Sequence, residues 1–173
     1  MEKTTCLEIL KQGSYAWNTF LLDEGLQTAC LSEAYLKGAD LRRVNLAQAD
    51  LHLANLNGAD LSLANLQGAD LSLADLRGAN LNGADLSLAN LEGADLRGAK
   101  CTGVRLLGAD LRRANFHDTD LRRANFANAI LCGADLGGTR LIRANLAGAD
   151  LGGADLTGVE MVESRPETVR TAA

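Results

Sequence analysis

A hydrophobic period of five residues runs through most of the chain. From Leu26 to Met161 every fifth residue is Leu or Phe, with one Cys and one Met, which makes 28 consecutive matches without an insertion. Two positions earlier, from Ala29 to Val159, the residue is always Ala, Val or Thr, and the residue directly before the Leu is usually Asp or Asn. A period of five fits neither an α-helix nor a plain β-strand, so the pattern predicts a chain that turns every five residues.

The simplest structure with this period is a stack of square coils. If each repeat forms one side of a square, four repeats close a coil of 20 residues, and the 28 repeats make about seven coils. Leu fills the interior and Ala the corners, and each buried Leu contributes roughly 1.5–3 kcal/mol. Glycine is frequent two residues after the Leu, as at Gly58 and Gly78, which predicts a turn with a positive φ there.

The A(D/N)LXX pattern, as in Ala59-Asp-Leu61 and Ala64-Asn-Leu66, resembles the pentapeptide-repeat family over about residues 26–163. The resemblance implies an all-β solenoid, a right-handed quadrilateral β-helix. The stretch from Leu10 to Asn18 is similar to leaders in cyanobacterial members of that family.

The ends of the chain depart from the repeat, and we predict three segments: a helical N-terminal cap (1–25), the β-helix (26–163) and a short tail (164–173). An open solenoid end must be covered to prevent edge pairing. Thr5 to Glu8 fits a capping box, Gly13 can close that helix, and Ser14 can open a second one. We expect its hydrophobic residues to cover the first coil: Trp17, Phe20 and Leu21. The tail has little to cover the last coil, which favours a homodimer through the C-terminal coil.

Composition narrows the functional classes. The net charge of −5 comes from 22 acidic and 17 basic residues, which favours neither a nucleic-acid binder nor a polyanion. No export signal or membrane-spanning segment is evident, and the four cysteines are widely spaced. We therefore expect a cytoplasmic protein with reduced thiols and no membrane contact.

The sequence offers no catalytic or cofactor motif. His52 and His117 lie 65 residues apart and cannot share a metal ion. The stretch from Gly93 to Cys101 lacks the Lys-Ser/Thr of a phosphate loop. We predict no catalytic residue, no metal site, no cofactor and no enzymatic activity.

Sorting the outward residues into four faces gives one candidate surface. We number the faces 1 to 4 from the repeats centred on Leu31, Leu36, Leu41 and Leu46, each recurring every 20 residues. Face 3 concentrates basic residues near its C-terminal end, and we call these five the basic patch: Lys100, Arg122, Arg123, Arg140 and Arg143. The patch suits an acidic partner, although solvated charge paired with neighbouring Asp explains it equally well. Face 4 is nearly uncharged, with Leu88 and Leu107 directed outward.

The segment from Lys100 to Leu107 departs most from the repeat, and drift, function and a seam between two segments all remain open. For the whole chain we expect a non-enzymatic scaffold or macromolecule-binding protein whose partner is a protein. The family resemblance implies an alternative, a DNA-mimicking inhibitor of DNA gyrase. The near balance of acids and bases disfavours that alternative.

Overall fold

The computed structural model describes residues 3–23 and 28–162, and it is a right-handed quadrilateral β-helix with two helices at its N-terminal end. The bridge residues run from Cys30 to Glu160 at intervals of five, and each pairs in parallel with the residue 20 positions further on. Each wall of the coil therefore contributes one bridge residue rather than a long strand. The predicted fold class and the coil of 20 residues are confirmed.

One repeat shows how the backbone is satisfied. The N–H of Leu61 donates to the carbonyl of Asn80 in the next coil at 2.8 Å, and the N–H of Asp60 donates to Ala39 in the preceding coil at 2.9 Å. The N–H of Ala64 donates back to the carbonyl of Leu61 at 3.0 Å and closes a turn. The residue before that Ala has a positive φ, as in a type II turn. The same bonds recur in the repeats that follow, so the coil is built by one local rule.

The interior is filled by the residues that the period predicts. The central residues from Leu31 to Leu151 are at most 6% exposed. Phe116 and Phe126 replace Leu in adjacent walls and pack edge to face, with ring centroids 6.2 Å apart. Two threonines take corner positions of Ala, and their hydroxyls donate to backbone carbonyls at 2.7–2.8 Å. The inner packing continues without interruption through the irregular segment, where Cys101 is buried in place of Leu.

Two helices cover the first coil. Helix α1 spans Lys3–Leu10 and helix α2 spans Ser14–Asp23. Helix α1 begins two residues before Thr5, so the predicted capping box at Thr5 is wrong, whereas the start of α2 at Ser14 is confirmed. Trp17 is fully buried, while Phe20 and Leu21 are half-buried. The indole N–H of Trp17 donates to the carbonyl of Asn45 at 2.7 Å.

The last described coil is less covered than the first. Leu156, Met161 and Val162 are 37%, 40% and 58% exposed. Both boundaries of the predicted segments fall outside the described residues, as do the first repeat at Leu26 and the tail, so this division of the chain stays a prediction.

Candidate functional site

The four faces of the rod carry different charges. Among described outward residues, face 1 has six acidic and two basic side chains, whereas face 3, on the opposite side, has four acidic and seven basic ones. Face 4 has only Asp85 and Arg105, which lie 3.6 Å apart. The chain is therefore electrically polarised across its width, a property that its total charge hides.

The Asp or Asn before each Leu has a structural role that the sequence analysis missed. Each of the 20 Asp and Asn side chains at this position, from Asp40 to Asp155, accepts a hydrogen bond from the backbone N–H two residues later, at 2.9–3.3 Å. This is the Asx-turn, and it satisfies the one N–H of the repeat that the ladder and the turn leave over. Most of the carboxylates are therefore structural.

Five of these carboxylates also hold an arginine two residues later, in what we call an Asp-Leu-Arg clamp. The guanidinium donates twice, from Nε at 2.7–2.9 Å and from Nη2 at 2.6–2.7 Å. Because these hydrogen bonds stabilise the carboxylate, they lower the pKa of each clamped Asp. The clamps begin at these residues: Asp40, Asp75, Asp95, Asp110 and Asp120.

The basic patch is only partly held by acidic neighbours. Arg122 is clamped by Asp120, and Arg140 lies 3.5 Å from Glu160. Lys100 and Arg123 form no ion pair with another described residue. The five cations of the patch thus face two acids, and a net positive charge remains.

Three of the patch residues surround one shallow depression. Arg122, Arg123 and Arg143 line it together with Ile142 and Val162, and its volume is about 460 Å³. Lys100 and Arg140 do not line the depression; they lie in the column of bridge residues, each paired with Asp120 one coil away. The sequence placed all five on one face, but the position of the depression depends on the turns.

A cluster of Ser, His and Asp on face 1 was also missed, because its members lie in different coils. His52 Nδ1 lies 2.8 Å from Ser72 Oγ, and that hydroxyl donates to Asp70 at 2.6 Å. In a catalytic triad the histidine stands between the serine and the acid and takes the proton of the hydroxyl. Here the serine stands in the middle and gives its proton to the acid, so the cluster is not arranged for nucleophilic attack.

The other candidate chemistry is sparse. His117 lies 3.5 Å from Asp135 and 3.7 Å from Asp118, both exposed contacts. Within residues 3–23 and 28–162, no three His, Cys, Asp or Glu side chains come together in a way that could hold a metal ion. No described helix has the length and apolar character needed to cross a membrane. The four cysteines are free thiols, and burial raises the pKa of Cys101.

The irregular segment keeps the geometry of the ladder. Lys100 and Arg105 occupy bridge positions and pair with residues in the coils on both sides. Lys100 cannot form an Asx-turn, and the N–H of Thr102 is instead accepted by Asn82 of the preceding coil at 2.9 Å. The segment therefore contains no break in the coil.

Comparison with known proteins shows the family. The model for pentapeptide repeats matches eight copies, in residues 29–68, 54–93, 89–126 and 119–158. The chain belongs to the pentapeptide-repeat family. No protein of curated function matches the chain.

Solved structures include proteins similar to this chain. A pentapeptide repeat protein from the thylakoid lumen of Arabidopsis thaliana, AT2G44920, is 32% identical over 57% of this chain and 69% of its own, with a TM-score of 0.56. HetL, involved in heterocyst differentiation regulation in the cyanobacterium Nostoc sp. strain PCC 7120, is 35% identical over 81% of this chain and 73% of its own, with a TM-score of 0.46. QnrB1, a plasmid-mediated fluoroquinolone resistance protein, is 19% identical over 84% of this chain and 91% of its own, with a TM-score of 0.49.

Proposed function

We propose that the protein is a non-enzymatic scaffold that binds an acidic protein partner through the basic patch of face 3. The observation that carries this proposal is the charge distribution: five cations and two acids occupy the outward positions of face 3 from residue 100 to residue 162. Membership of the pentapeptide-repeat family fits a non-enzymatic role. A cytoplasmic location stays a prediction.

The chemistry of the depression supports a protein partner. Ile142 and Val162 give it an apolar part, and the arginines around it suit carboxylates. An acidic segment with one or two apolar side chains would match both features. Duplex DNA is a poorer fit, because the net charge of −5 repels phosphates over the rest of the rod.

DNA mimicry is not favoured by the charges. A mimic of duplex DNA requires acidic groups around the rod, whereas face 3 is basic and face 4 is nearly uncharged. Five aspartates are also neutralised by their own arginines. We expect no inhibition in a gyrase supercoiling assay, and inhibition at a stoichiometric protein concentration would reverse this ranking.

The chain contains its own matched control for the binding experiment. The same seven residues, Asp-Leu-Arg-Arg-Ala-Asn-Phe, occur at 110–116 on face 1 and at 120–126 on face 3. Arg122→Glu/Arg123→Glu and Arg112→Glu/Arg113→Glu therefore change the same local structure and the same total charge. They differ in the face that they affect.

The test is quantitative capture of partners from a native extract on the immobilised protein and on both variants. We expect acidic proteins to bind the wild type, and the face 3 variant to lose them by about tenfold or more, as for hot-spot charges at an interface. The face 1 variant should retain them. Equal recovery by all three proteins, or equal loss from both variants, would contradict the proposal.

A further inference from the structure

A second and larger concavity, which we call the cap groove, lies at the opposite end of face 3. Its volume is about 910 Å³, and it separates the connection between α1 and α2 from the first two coils. Its walls include these residues: Lys11, Tyr15, Ala39, Arg43, Ser62 and Leu63. The basic patch of the proposed function shares none of them, so the two sites are independent.

The helical cap replaces a preceding coil at one point of the first coil but not at the neighbouring one. At Asn45 the cap satisfies both ladder groups, because Trp17 donates to the carbonyl and the side-chain oxygen of Asn18 accepts the N–H at 2.8 Å. At Asp40, five residues earlier, the backbone N–H makes no hydrogen bond with any described residue. The ladder of face 3 therefore has an open edge at Asp40.

This open edge faces the cap groove. One coil further on, the N–H of Asp60 donates to the preceding coil, at Ala39. The repeat directs the same group of Asp40 towards the N-terminal end, where Asp40 itself lines the groove. Ala39 is half-buried, whereas its equivalents Ala59 and Ala79 are fully buried. An unpaired sheet edge beside a concavity is the arrangement that accepts an added strand.

The walls of the groove determine what kind of strand would fit. Lys11 and Arg43 are exposed cations without an ion pair among the described residues, while Arg42 is neutralised by Asp40. Leu63 is 55% exposed and supplies an apolar wall. In an extended peptide, successive side chains point to opposite sides, so acidic and apolar residues would reach different walls.

We propose that the cap groove binds an extended acidic segment of a partner protein, which joins the open ladder edge at Asp40 as a short added strand. Its carboxylates contact Lys11 and Arg43, and an apolar side chain contacts Leu63 and Ala39. Backbone pairing supplies sequence-independent affinity, and the charges select the segment.

Leu63 allows a variant that removes the apolar wall without harming the fold. Its φ is 58°, a region that Asn adopts more readily than Leu, so Leu63→Asn relieves backbone strain. Leu73→Asn is the matched control, because Leu73 has the same φ of 58°, a similar exposure of 54% and a place outside the groove. For the cations, Lys11→Glu/Arg43→Glu is compared with Lys37→Glu/Arg113→Glu, which makes the same change in charge away from the groove.

The probe is a random seven-residue peptide library displayed on phage and selected against the full chain. We expect enriched peptides that combine acidic and apolar residues. Their affinity should fall about tenfold or more with Leu63→Asn and with Lys11→Glu/Arg43→Glu, and it should not change with either control variant. Arg122→Glu/Arg123→Glu should also leave it unchanged, which separates this site from the basic patch. Failure to enrich any peptide, or enriched peptides that bind the groove variants as tightly as the wild type, would overturn the proposal.

Discussion

The last residue of each turn before the corner adopts a left-handed backbone conformation, at all 26 turns from Glu33 to Gly158. Fourteen of these residues are glycines and twelve are not, and the twelve include Leu53, Leu63, Leu73 and Leu88. The sequence therefore predicts the turn through its glycines. It does not reveal that leucines occupy the same conformation, since Leu ordinarily avoids it.

Substitution of a turn glycine tests this conformation alone. A Cβ added at Gly78 would meet no atom within 4 Å, so Gly78→Ala adds backbone strain without a clash. We expect the free energy of unfolding to fall by about 1 kcal/mol, measured by urea denaturation. Leu73→Asn should keep or raise it. An unchanged stability of Gly78→Ala would show that the turn does not require a positive φ.

The Asp-Leu-Arg clamps predict how stability depends on pH. The arginine hydrogen bonds lower the pKa of these carboxyls in the folded chain, so the unfolded chain binds more protons in acid. The stabilisation is present above the unfolded pKa of about 3.9 and is lost as the pH falls below it. We expect the urea midpoint to hold from neutral pH to about pH 5 and to fall below about pH 4. Arg77→Gln/Arg97→Gln should make that fall smaller, and an identical fall in this variant would contradict the role of the clamps.

The clamps also show what sequence reasoning missed at this scale. Arg122 enters the basic patch as a free positive charge when residues are sorted by face alone. In the structure Asp120 holds it through two hydrogen bonds. The spacing Asp-Leu-Arg contains this information, because both polar residues flank the same inward Leu and therefore point outward side by side.

At the scale of elements, the N-terminal cap depends on a few contacts between α2 and the first coil. Asn18 accepts the N–H of Asn45 at 2.8 Å and donates to the carbonyl of Arg43 at 3.1 Å. We expect Asn18→Ala to lower the free energy of unfolding by about 1–3 kcal/mol, because it leaves ladder groups unsatisfied. Hydrogen exchange should accelerate in the first coil and not beyond the third.

A matched change at the helix surface controls for effects on the helix itself. Tyr15 lies on the same helix and is 85% exposed. We expect Tyr15→Ala to leave exchange in the first coil unchanged. Equal exchange rates in the Asn18 and Tyr15 variants would show that the cap does not stabilise the coil through Asn18.

The cap illustrates the limit of prediction from sequence at this scale. The pattern around Trp17 and the start at Ser14 indicate a covering helix. The exact seat of α2 follows from the pairing of Trp17 and Asn18 with one residue, Asn45, about 28 positions away. Such long-range side-chain contacts leave no periodic signal in the sequence, so the cap groove beside them could not be anticipated.

At the scale of the whole molecule, the two ends of the rod differ. The first coil is covered by α2, whereas the last described coil exposes Leu156 and Met161. We expect two copies to associate through this coil, measured by sedimentation equilibrium. Leu156→Lys/Met161→Lys should give a monomer, and Leu73→Lys, at an exposed leucine on a side wall, should not. A wild-type chain that remains monomeric at all concentrations would contradict this prediction.

The interior of the molecule was the part most fully predicted, because one five-residue rule places every inward residue from Leu31 to Leu151. Its surface was less accessible to prediction, since each outward residue is constrained only by its neighbours in the coils above and below. The pairs Arg112 with Glu92 and Arg140 with Glu160 each join residues 20 positions apart. They become visible only when the coil length is known.

Residue-resolved amide hydrogen exchange by NMR tests the wall-by-wall construction of the rod. Within residues 40–155, the N–H of each central residue and of the bridge residue before it is bonded to the backbone of a neighbouring coil. The N–H of the residue after it is bonded mostly to an Asp or Asn side chain. We predict slow exchange at the first two and faster exchange at the third, with a period of five that continues unbroken through residues 100–107. Protection with a helical period, or a loss of phase in that segment, would contradict the coil described above.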